Sequence, residues 1–240
     1  MELYVASTPN KTLPCGDYIP VRVSCCTGER LRVWEHTPCG GLLMVLYAAP
    51  ISDAGLAARD ILRQCLSGQH SGILLDFPPG QKELVPMVRE LAALCRRYAT
   101  ALFLPEYYAS CGDTFVIVSS TLVGGNLREK LQDAASRYGA QRILLDLERT
   151  CRDYLLPSPG GSGQCLTRET FCRVSAGCTR YYSPEQCARY FTYRNGAQSH
   201  YIVYDDGDTL RKKLSLAQEL GISKALVIYQ EVEDIWPIFP

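Results

Sequence analysis

Acidic residues stand at the ends of several apolar runs in this sequence. Asp76 closes GILLD, Glu106 closes ALFLPE, and Glu231 closes KALVIYQE, while ILLDLE carries both Asp146 and Glu148. Side chains alternate along a β-strand, so Asp146 and Glu148 share one face. Carboxyl groups whose pKa values are pushed apart are the groups that cleave glycosidic bonds. These five acids are therefore the candidate site, provided that the fold brings them together.

The apolar runs alternate with amphipathic segments, which determines where the acids lie. Runs that are apolar on both faces and separated by helices indicate a parallel sheet covered on both sides. The 240 residues match the length of one α/β barrel. We predict strands at 41–50, 71–78, 100–106, 114–120, 142–148 and 224–231, and helices at 52–67, 82–99, 126–139 and 208–221.

The regular alternation, with acids at strand ends, favours an α/β fold of the closed (β/α)8 TIM type, forming a single domain over residues 1–240. An open doubly wound sheet is the alternative, although no G-x-G-x-x-G turn follows the first strand. Residues 10–40 contain β segments without a helix, so we expect a barrel that is compact or incomplete in its first third.

The segment from about 150 to 200 interrupts the alternation and is predicted to be a long loop insertion near the barrel mouth. Within it, residues 157–164 form a flexible link that is rich in Gly, Ser and Pro. Residues 183–191 are predicted to form a short helix. A hairpin is predicted around Asn195 and Gly196.

Composition excludes several classes of function. Lys plus Arg and Asp plus Glu both number 25, so no net charge draws the chain to nucleic acid or to an anionic membrane. The start MELYVASTPN lacks the features of a signal peptide, which predicts a cytoplasmic location. The twelve cysteines include no C-x-x-C pair, so we predict no metal site and no cofactor.

The cysteines leave two interpretations open. Free thiols in a reducing cytosol agree with the absence of a signal peptide, and Cys65 and Cys95 lie in helical patterns as small buried hydrophobic residues. The cluster from Cys165 to Cys187 lies in the loop-rich insertion. It would allow self-assembly through cross-links in an oxidising setting.

The C-terminal part of the chain resembles the chitinase-like family 18 glycoside hydrolases. Tyr204, Asp205 and Asp206 match the tyrosine–aspartate–aspartate that precedes a helix in that family, and Gly221 ends the helix. Tyr229 stands where the family usually has a tryptophan. The segments GDTFVIVSST and LREKLQDAASRYGAQRILLDLE are similar to the sixth strand and to the seventh with its preceding helix. The resemblance covers residues 70 to 235 and implies a TIM barrel.

The family's catalytic signature is D-x-x-D-x-D-x-E at the end of the fourth strand, and its final Glu protonates the glycosidic oxygen. Laid on this sequence, the four positions hold Ser71, Leu74, Asp76 and Pro78. A proline has no proton to give, and general acid catalysis contributes roughly 10²–10⁴-fold to such reactions. The resemblance therefore implies a protein that has lost the usual activity. Asp146 and Glu148 also depart from the family, which usually has glycine and proline there.

We therefore expect a catalytically degenerate relative that binds a glycan containing N-acetylglucosamine, of chitin or peptidoglycan type, or a protein partner at the barrel mouth. The resemblance also implies a bacterial, sporulation-related setting. One alternative is an active glycosidase that uses relocated carboxylates, with Asp76, Asp146, Glu148 and Glu106 as candidates. Another is a cysteine-rich assembly protein. The predicted ligand-binding residues are Asp76, Glu106, Tyr107, Asp146, Glu148, Tyr229 and Glu231.

Overall fold

The computed structural model describes residues 1–8, 11–28, 30–32, 40–122, 124–157 and 163–239. The first part contains β1 (Glu2–Ser7), β2 (Ile19–Thr27), β3 (Arg30–Arg32), β4 (Leu42–Tyr47), α1 (Ala54–Ser67), β5 (Gly72–Asp76), α2 (Val85–Arg97), β6 (Ala101–Pro105), β7 (Phe115–Ser119), α3 (Leu127–Tyr138) and β8 (Ile143–Asp146). An insertion follows with β9 (Cys151–Leu156), β10 (Gln164–Cys165), α4 (Arg168–Ser175), β11 (Tyr181–Ser183), β12 (Ala188–Asn195) and β13 (Gln198–Tyr204). The chain ends with α5 (Gly207–Glu219), β14 (Lys224–Ile228) and α6 (Tyr229–Val232).

Eight parallel strands close into a barrel in the order β1, β2, β4, β5, β6, β7, β8 and β14, and β14 pairs with β1 to complete the circle. The predicted TIM-type fold is confirmed. The short β3 pairs antiparallel with β2, outside the barrel. The first third is compact, because residues 11–18 lead into β2 without a helix, but it supplies both β1 and β2 to the closed barrel.

Strand alternation builds two apolar layers around the barrel wall. Met44, Leu74, Phe103, Leu144 and Leu226 fill the interior. The intervening side chains face outward and pack under the helices, as Ile73 and Leu75 do beneath α1 and α2. None of the helices in the described part of the chain is long and apolar enough to cross a membrane.

The helices begin where the sequence predicts that they should. The side chain of Asp53 accepts a hydrogen bond from the Leu56 N–H at the start of α1, and Asn126 accepts from the Arg128 N–H at the start of α3. Asp206 and Thr209 form a reciprocal capping box at the start of α5. Gly221, with a φ of +79°, follows α5 in a backbone conformation that favours glycine.

The insertion is a folded layer rather than a long loop. Its strands form an antiparallel sheet in the order β10, β9, β13, β12, β11, and α4 covers one face through Phe171 and Val174. The predicted hairpin is confirmed, because Asn195 pairs with Gln198 around Gly196. Most of the predicted link at 157–164 lies outside the described residues.

Two sequence predictions fail at element boundaries. Residues 183–191 are not a helix: they form the end of β11, a turn and the start of β12, because β12 pairs with β11 on one side and with β13 on the other. The last barrel strand ends at Ile228 rather than at Glu231. Tyr229 begins the helical turn α6, so Tyr229 and Glu231 do not share a strand face.

Candidate functional site

Two of the predicted acids face inward at the carboxyl end of the barrel. Asp76 ends β5 and Asp146 ends β8, and the residues two positions earlier, Leu74 and Leu144, belong to the barrel interior. Alternation along each strand therefore directs both carboxyl groups toward the mouth. Ser119, at the end of β7, pairs in register with Asp146.

Asp146 is the electrostatic centre of this group. The pKa of Asp146 is raised from 3.8 to about 7, first by burial and then by the negative charges of Glu148, Glu231 and Asp76. The positive charge of Lys130 opposes this rise. The charges of the other three carboxyl groups thus act on Asp146. At neutral pH a substantial fraction of Asp146 carries a proton, so it can donate a hydrogen bond as well as accept one.

The neighbouring acids are shifted in the same direction. Burial raises the pKa of Asp76 even though much of its side-chain surface is exposed at the barrel mouth. The pKa of Glu231 is also raised by burial, and the charge of Glu148 adds to this effect. The N–H of Arg149 opposes it by donating to Glu231 Oε2 at 3.4 Å.

Lys130 is a member of the site that the sequence analysis does not identify. Its Nζ donates to the carbonyl oxygens of Ser119 at 2.6 Å and Thr121 at 3.1 Å. Burial lowers the pKa of this amine, while the nearby acids, Glu106 first among them, raise it. The only signal in the sequence is that Lys130 adjoins the apolar residue Leu131 on α3, which does not distinguish it from other helix lysines.

In the part of the chain that the structure describes, Arg149 and Arg152 pair with acids other than the two inward-facing aspartates. Arg152 lies 3.3 Å from Glu148, and Arg149 turns away to Asp234 and the Glu231 carbonyl oxygen. Among the residues that the structure describes, no hydrogen bond or ion pair reaches the side chain of Asp146. No group of three or more described His, Cys, Asp or Glu residues is arranged to hold a metal ion.

Hydrogen bonds fix the loop that follows Asp76. The buried Tyr108 hydroxyl donates to the carbonyl oxygens of Pro78 at 2.9 Å and Gln81 at 3.4 Å. Phe77 points outward and packs 5.8 Å from the Tyr47 ring. Pro78 is therefore held in place by its backbone, at the position where the resemblance predicts the proton donor.

The structure separates the remaining predicted residues. Glu106 and Tyr107 are exposed in the helical turn after β6, where the Tyr107 ring meets Tyr108 edge-on at 4.9 Å. Tyr229 is buried in the outer apolar layer against Trp236, at 5.3 Å. Tyr229 was expected to bind ligand at the mouth, and its position does not support that expectation, because β14 ends before it and α6 carries its ring into packing.

A cavity of about 370 Å³ opens between the mouth and the insertion. Glu148 and Glu231 belong to its wall, whereas Asp76 and Asp146 do not. The insertion contributes Arg152, Phe171 and Tyr204, among other residues. This side cavity therefore gives access to Glu148 and Glu231.

The tyrosine–aspartate–aspartate segment that carries the resemblance has structural roles. Asp205 is buried and accepts hydrogen bonds from Lys213 Nζ at 2.8 Å, from the Thr150 N–H at 2.9 Å and from Thr209 Oγ1 at 2.8 Å. Tyr204 packs 4.8 Å from the Phe171 ring. Asp206 caps α5 and pairs with Arg189.

Comparison with known proteins supports the fold-level resemblance. No protein-family model matches the chain, and no curated protein matches its sequence. The structure is similar to that of a chitinase from Chromobacterium violaceum, with a TM-score of 0.68, 13% identity, and coverage of 96% of this chain and 95% of that one. It is also similar to the spore cortex-lytic enzyme SleL of Bacillus cereus, with a TM-score of 0.64, 13% identity, and coverage of 100% and 74%.

A third similar structure is that of a pseudo-chitinase. Human YKL-39, a pseudo-chitinase with retained chitooligosaccharide binding properties, gives a TM-score of 0.59 at 10% identity, covering 86% of this chain and 82% of that one. The structural neighbours are thus chitinase-like proteins of the family 18 type. At these identities the similarity shows a shared fold.

Proposed function

We propose that this protein binds an oligosaccharide containing N-acetylglucosamine at the barrel mouth and does not cleave it by the usual chitinase mechanism. Two features of the mouth together carry the proposal. The carboxyl groups of Asp76 and Asp146 face inward, and Pro78 stands in the position where the resemblance predicts the proton donor. Retained chitooligosaccharide binding in a pseudo-chitinase of the same fold supports it.

The chemistry of the mouth suits a neutral sugar with hydroxyl and acetamide groups. A protonated Asp146 donates to a ligand oxygen, and an ionised Asp76 accepts from a hydroxyl or an amide N–H. The Tyr107 ring, exposed in the turn after β6, offers an apolar surface with a polar tip, which suits a sugar face.

Calorimetric titration with chitotetraose tests this proposal. The wild-type protein should bind, and Asp76→Ala combined with Asp146→Ala should weaken binding by about tenfold or more, since each removes a charge-assisted or desolvated hydrogen bond. Asp113→Ala is the matched control, because Asp113 lies before β7, at the opposite end of the barrel wall, and is exposed beside Arg142. An unchanged affinity in the double variant would contradict the proposal.

One observation favours a second candidate, an active glycosidase with relocated acids. A carboxyl group whose pKa is raised to about 7 is suited to act as a general acid at neutral pH. Glu148 or Glu106 would then supply the second carboxylate. The test is release of reducing ends from chitin oligomers, which should decline above pH 7 and fall by roughly 100-fold or more in Asp146→Asn. No release by the wild-type protein would exclude this candidate.

The predicted cysteine-linked assembly has one supporting feature, the exposure of Cys15, Cys165 and Cys172. Oxidised protein should then run as reducible oligomers on a non-reducing gel, and a monomer would contradict it. The similarity to a spore cortex-lytic enzyme supports the sporulation setting. That setting and the cytoplasmic location remain predictions.

A further inference from the structure

Four tyrosines form a continuous row across one face of the insertion sheet. They are Tyr181 on β11, Tyr190 on β12, Tyr201 on β13 and Tyr154 on β9, and this set is called the tyrosine row below. Neighbouring ring centroids lie 5.4, 5.3 and 6.4 Å apart along the row. The first pair is stacked, with an interplanar angle of 26°.

Register and alternation explain why the rings line up. Tyr181 pairs with Tyr190, and Tyr201 pairs with Tyr154, so each pair projects from the same face. Phe191 and Ile202 point to the opposite face, where they pack under α4. The tyrosine row therefore lies on the face away from α4, and the core of the insertion is built without it.

The rings combine apolar faces with accessible polar tips. Tyr181 is 51% exposed, and the other three are half-buried, partly by one another. Within the described part of the chain, none of the four hydroxyls has a hydrogen-bond partner. A protein core pressed onto the row would bury these hydroxyls without compensation, whereas a sugar offers C–H faces to the rings and hydroxyls to their tips.

The tyrosine row continues the surface of the barrel mouth. Arg152 lies two residues before Tyr154 on β9, so both side chains share a face. The Arg152 guanidinium lies 3.3 Å from Glu148, one of the acids coupled to Asp146. Thr192 and Val203 lie among the rings on this face, and its cations, Arg152 and Arg194, lie to either side of the row.

We propose that the tyrosine row binds an extended, uncharged polysaccharide whose chain continues outward from the barrel mouth. This inference takes its ligand class from the proposed function, and it adds a second surface and a preference for polymers over short oligomers. Rings repeated at the strand spacing suit a ligand with a repeated flat unit, and one tyrosine from each strand supplies one contact.

Binding assays with two ligands distinguish the tyrosine row from the barrel mouth. Binding to insoluble chitin is measured by depletion from solution, and binding to chitotriose by calorimetry. We expect Tyr190→Ala combined with Tyr201→Ala to weaken chitin binding about tenfold and to leave chitotriose binding unchanged, because two stacking contacts are lost. Tyr181→Ala should have a smaller effect of the same kind. Tyr98→Ala is the matched control, since Tyr98 is also 51% exposed but follows α2.

Each remaining outcome decides between the two surfaces. Unchanged chitin binding in the double tyrosine variant would contradict the proposal for the tyrosine row. An equal loss of chitin binding and chitotriose binding in a folded variant would contradict it as well. Wild-type protein that binds chitotriose but not chitin overturns the row alone, and protein that binds neither overturns both proposals. Chitin binding that survives Asp76→Ala with Asp146→Ala but needs the tyrosines supports the row and contradicts the mouth.

Two further measurements guard against misinterpretation. Tyr190→Leu with Tyr201→Leu preserves apolar volume if the alanine variant does not fold, and it should lose chitin binding in the same way. Sedimentation tests whether the row joins two copies of the chain. A dimer that Tyr181→Ala dissociates would overturn the polysaccharide proposal.

Discussion

Asp146 and Asp205 are both aspartates at strand ends, one before the insertion and one after it, yet their surroundings are opposite. Asp205 is buried and receives three hydrogen bonds, one of them from Lys213. Asp146 has no such partner among the described residues, and its pKa rises to about 7. The fold compensates the buried charge of Asp205, whereas burial and neighbouring charges disfavour the ionised form of Asp146.

This difference separates structural acids from candidates for function. A buried charge that is paired and hydrogen-bonded joins neighbouring elements, here the start of the insertion, its end and α5. A carboxyl group whose pKa is strongly raised by burial lowers stability at neutral pH, and such groups concentrate where ligands bind or reactions occur. The contrast can be tested by altering each region in turn.

The largest effect is expected from Lys213→Met, which leaves the Asp205 carboxylate buried without its cation. Removing one partner of a buried pair costs about 3–5 kcal/mol, and we expect a loss of that order in the free energy of unfolding measured with urea. The matched control is Lys212→Met, in which the adjacent exposed lysine loses its contact with the Tyr182 ring. It should cost less than about 1 kcal/mol. Similar values for the two variants would remove the basis of the comparison.

Asp146→Asn should have the opposite sign. Because the pKa of Asp146 is raised, the folded protein keeps this proton between about pH 4 and pH 7, where the unfolded chain has released it. The stability of the wild-type protein therefore falls as the pH rises through this range, and asparagine removes that loss. A shift from 3.8 to about 7 corresponds to about 4 kcal/mol at most. Partial exposure and coupling reduce the expected gain to about 1–2 kcal/mol at pH 8.

The pH profile is the decisive part of this experiment. The stabilisation by Asp146→Asn should shrink as the pH falls and vanish below about pH 4, where Asp146 of the wild-type protein is protonated in both the folded and the unfolded state. Asp113→Asn, at an exposed site, should change the unfolding free energy by less than about 0.5 kcal/mol at every pH. A destabilising Asp146→Asn would show that the acid has a partner that stabilises its charge.

The smallest effect is expected at the loop after Asp76. Tyr108→Phe keeps the buried ring but removes the hydrogen bonds to the carbonyl oxygens of Pro78 and Gln81. We expect a loss of about 1 kcal/mol in unfolding free energy and weaker chitotetraose binding. Tyr107→Phe, at the exposed neighbour, should leave stability unchanged. If Tyr108→Phe has no effect on stability, the mouth does not depend on this anchor.

The barrel could be predicted from sequence because its strands are apolar on both faces and its helices carry local start and stop signals. Asp53, Asn126 and Asp206 each cap a helix through contacts within a few residues, so no distant part of the chain is needed to recognise them. The convergence of Asp76 with Asp146 also followed from a simple rule, because all parallel strands of a barrel end at the same rim.

Features that depend on distant partners could not be predicted in the same way. Residues 183–191 have helical spacing, yet pairing of β12 with β13 decides their conformation. Lys130 faces the acids only because α3 packs beside β7 and β8, and Tyr229 leaves the mouth because β14 stops at Ile228. The sequence identifies Asp205 only as part of a segment that resembles the family, and its contacts with Lys213, Thr150 and Thr209 show that its role is structural.

The hydrogen bonds between Thr150 and Asp205 have one more consequence. The Asp205 N–H donates to the Thr150 carbonyl oxygen at 2.8 Å, so the insertion leaves the barrel and returns to it at a single point. A segment whose two ends already meet can be lengthened, shortened or exchanged without changing the span that the rest of the chain must cover. The barrel can thus keep one scaffold while the layer above its mouth diversifies, which makes this junction the natural place to graft a different binding surface.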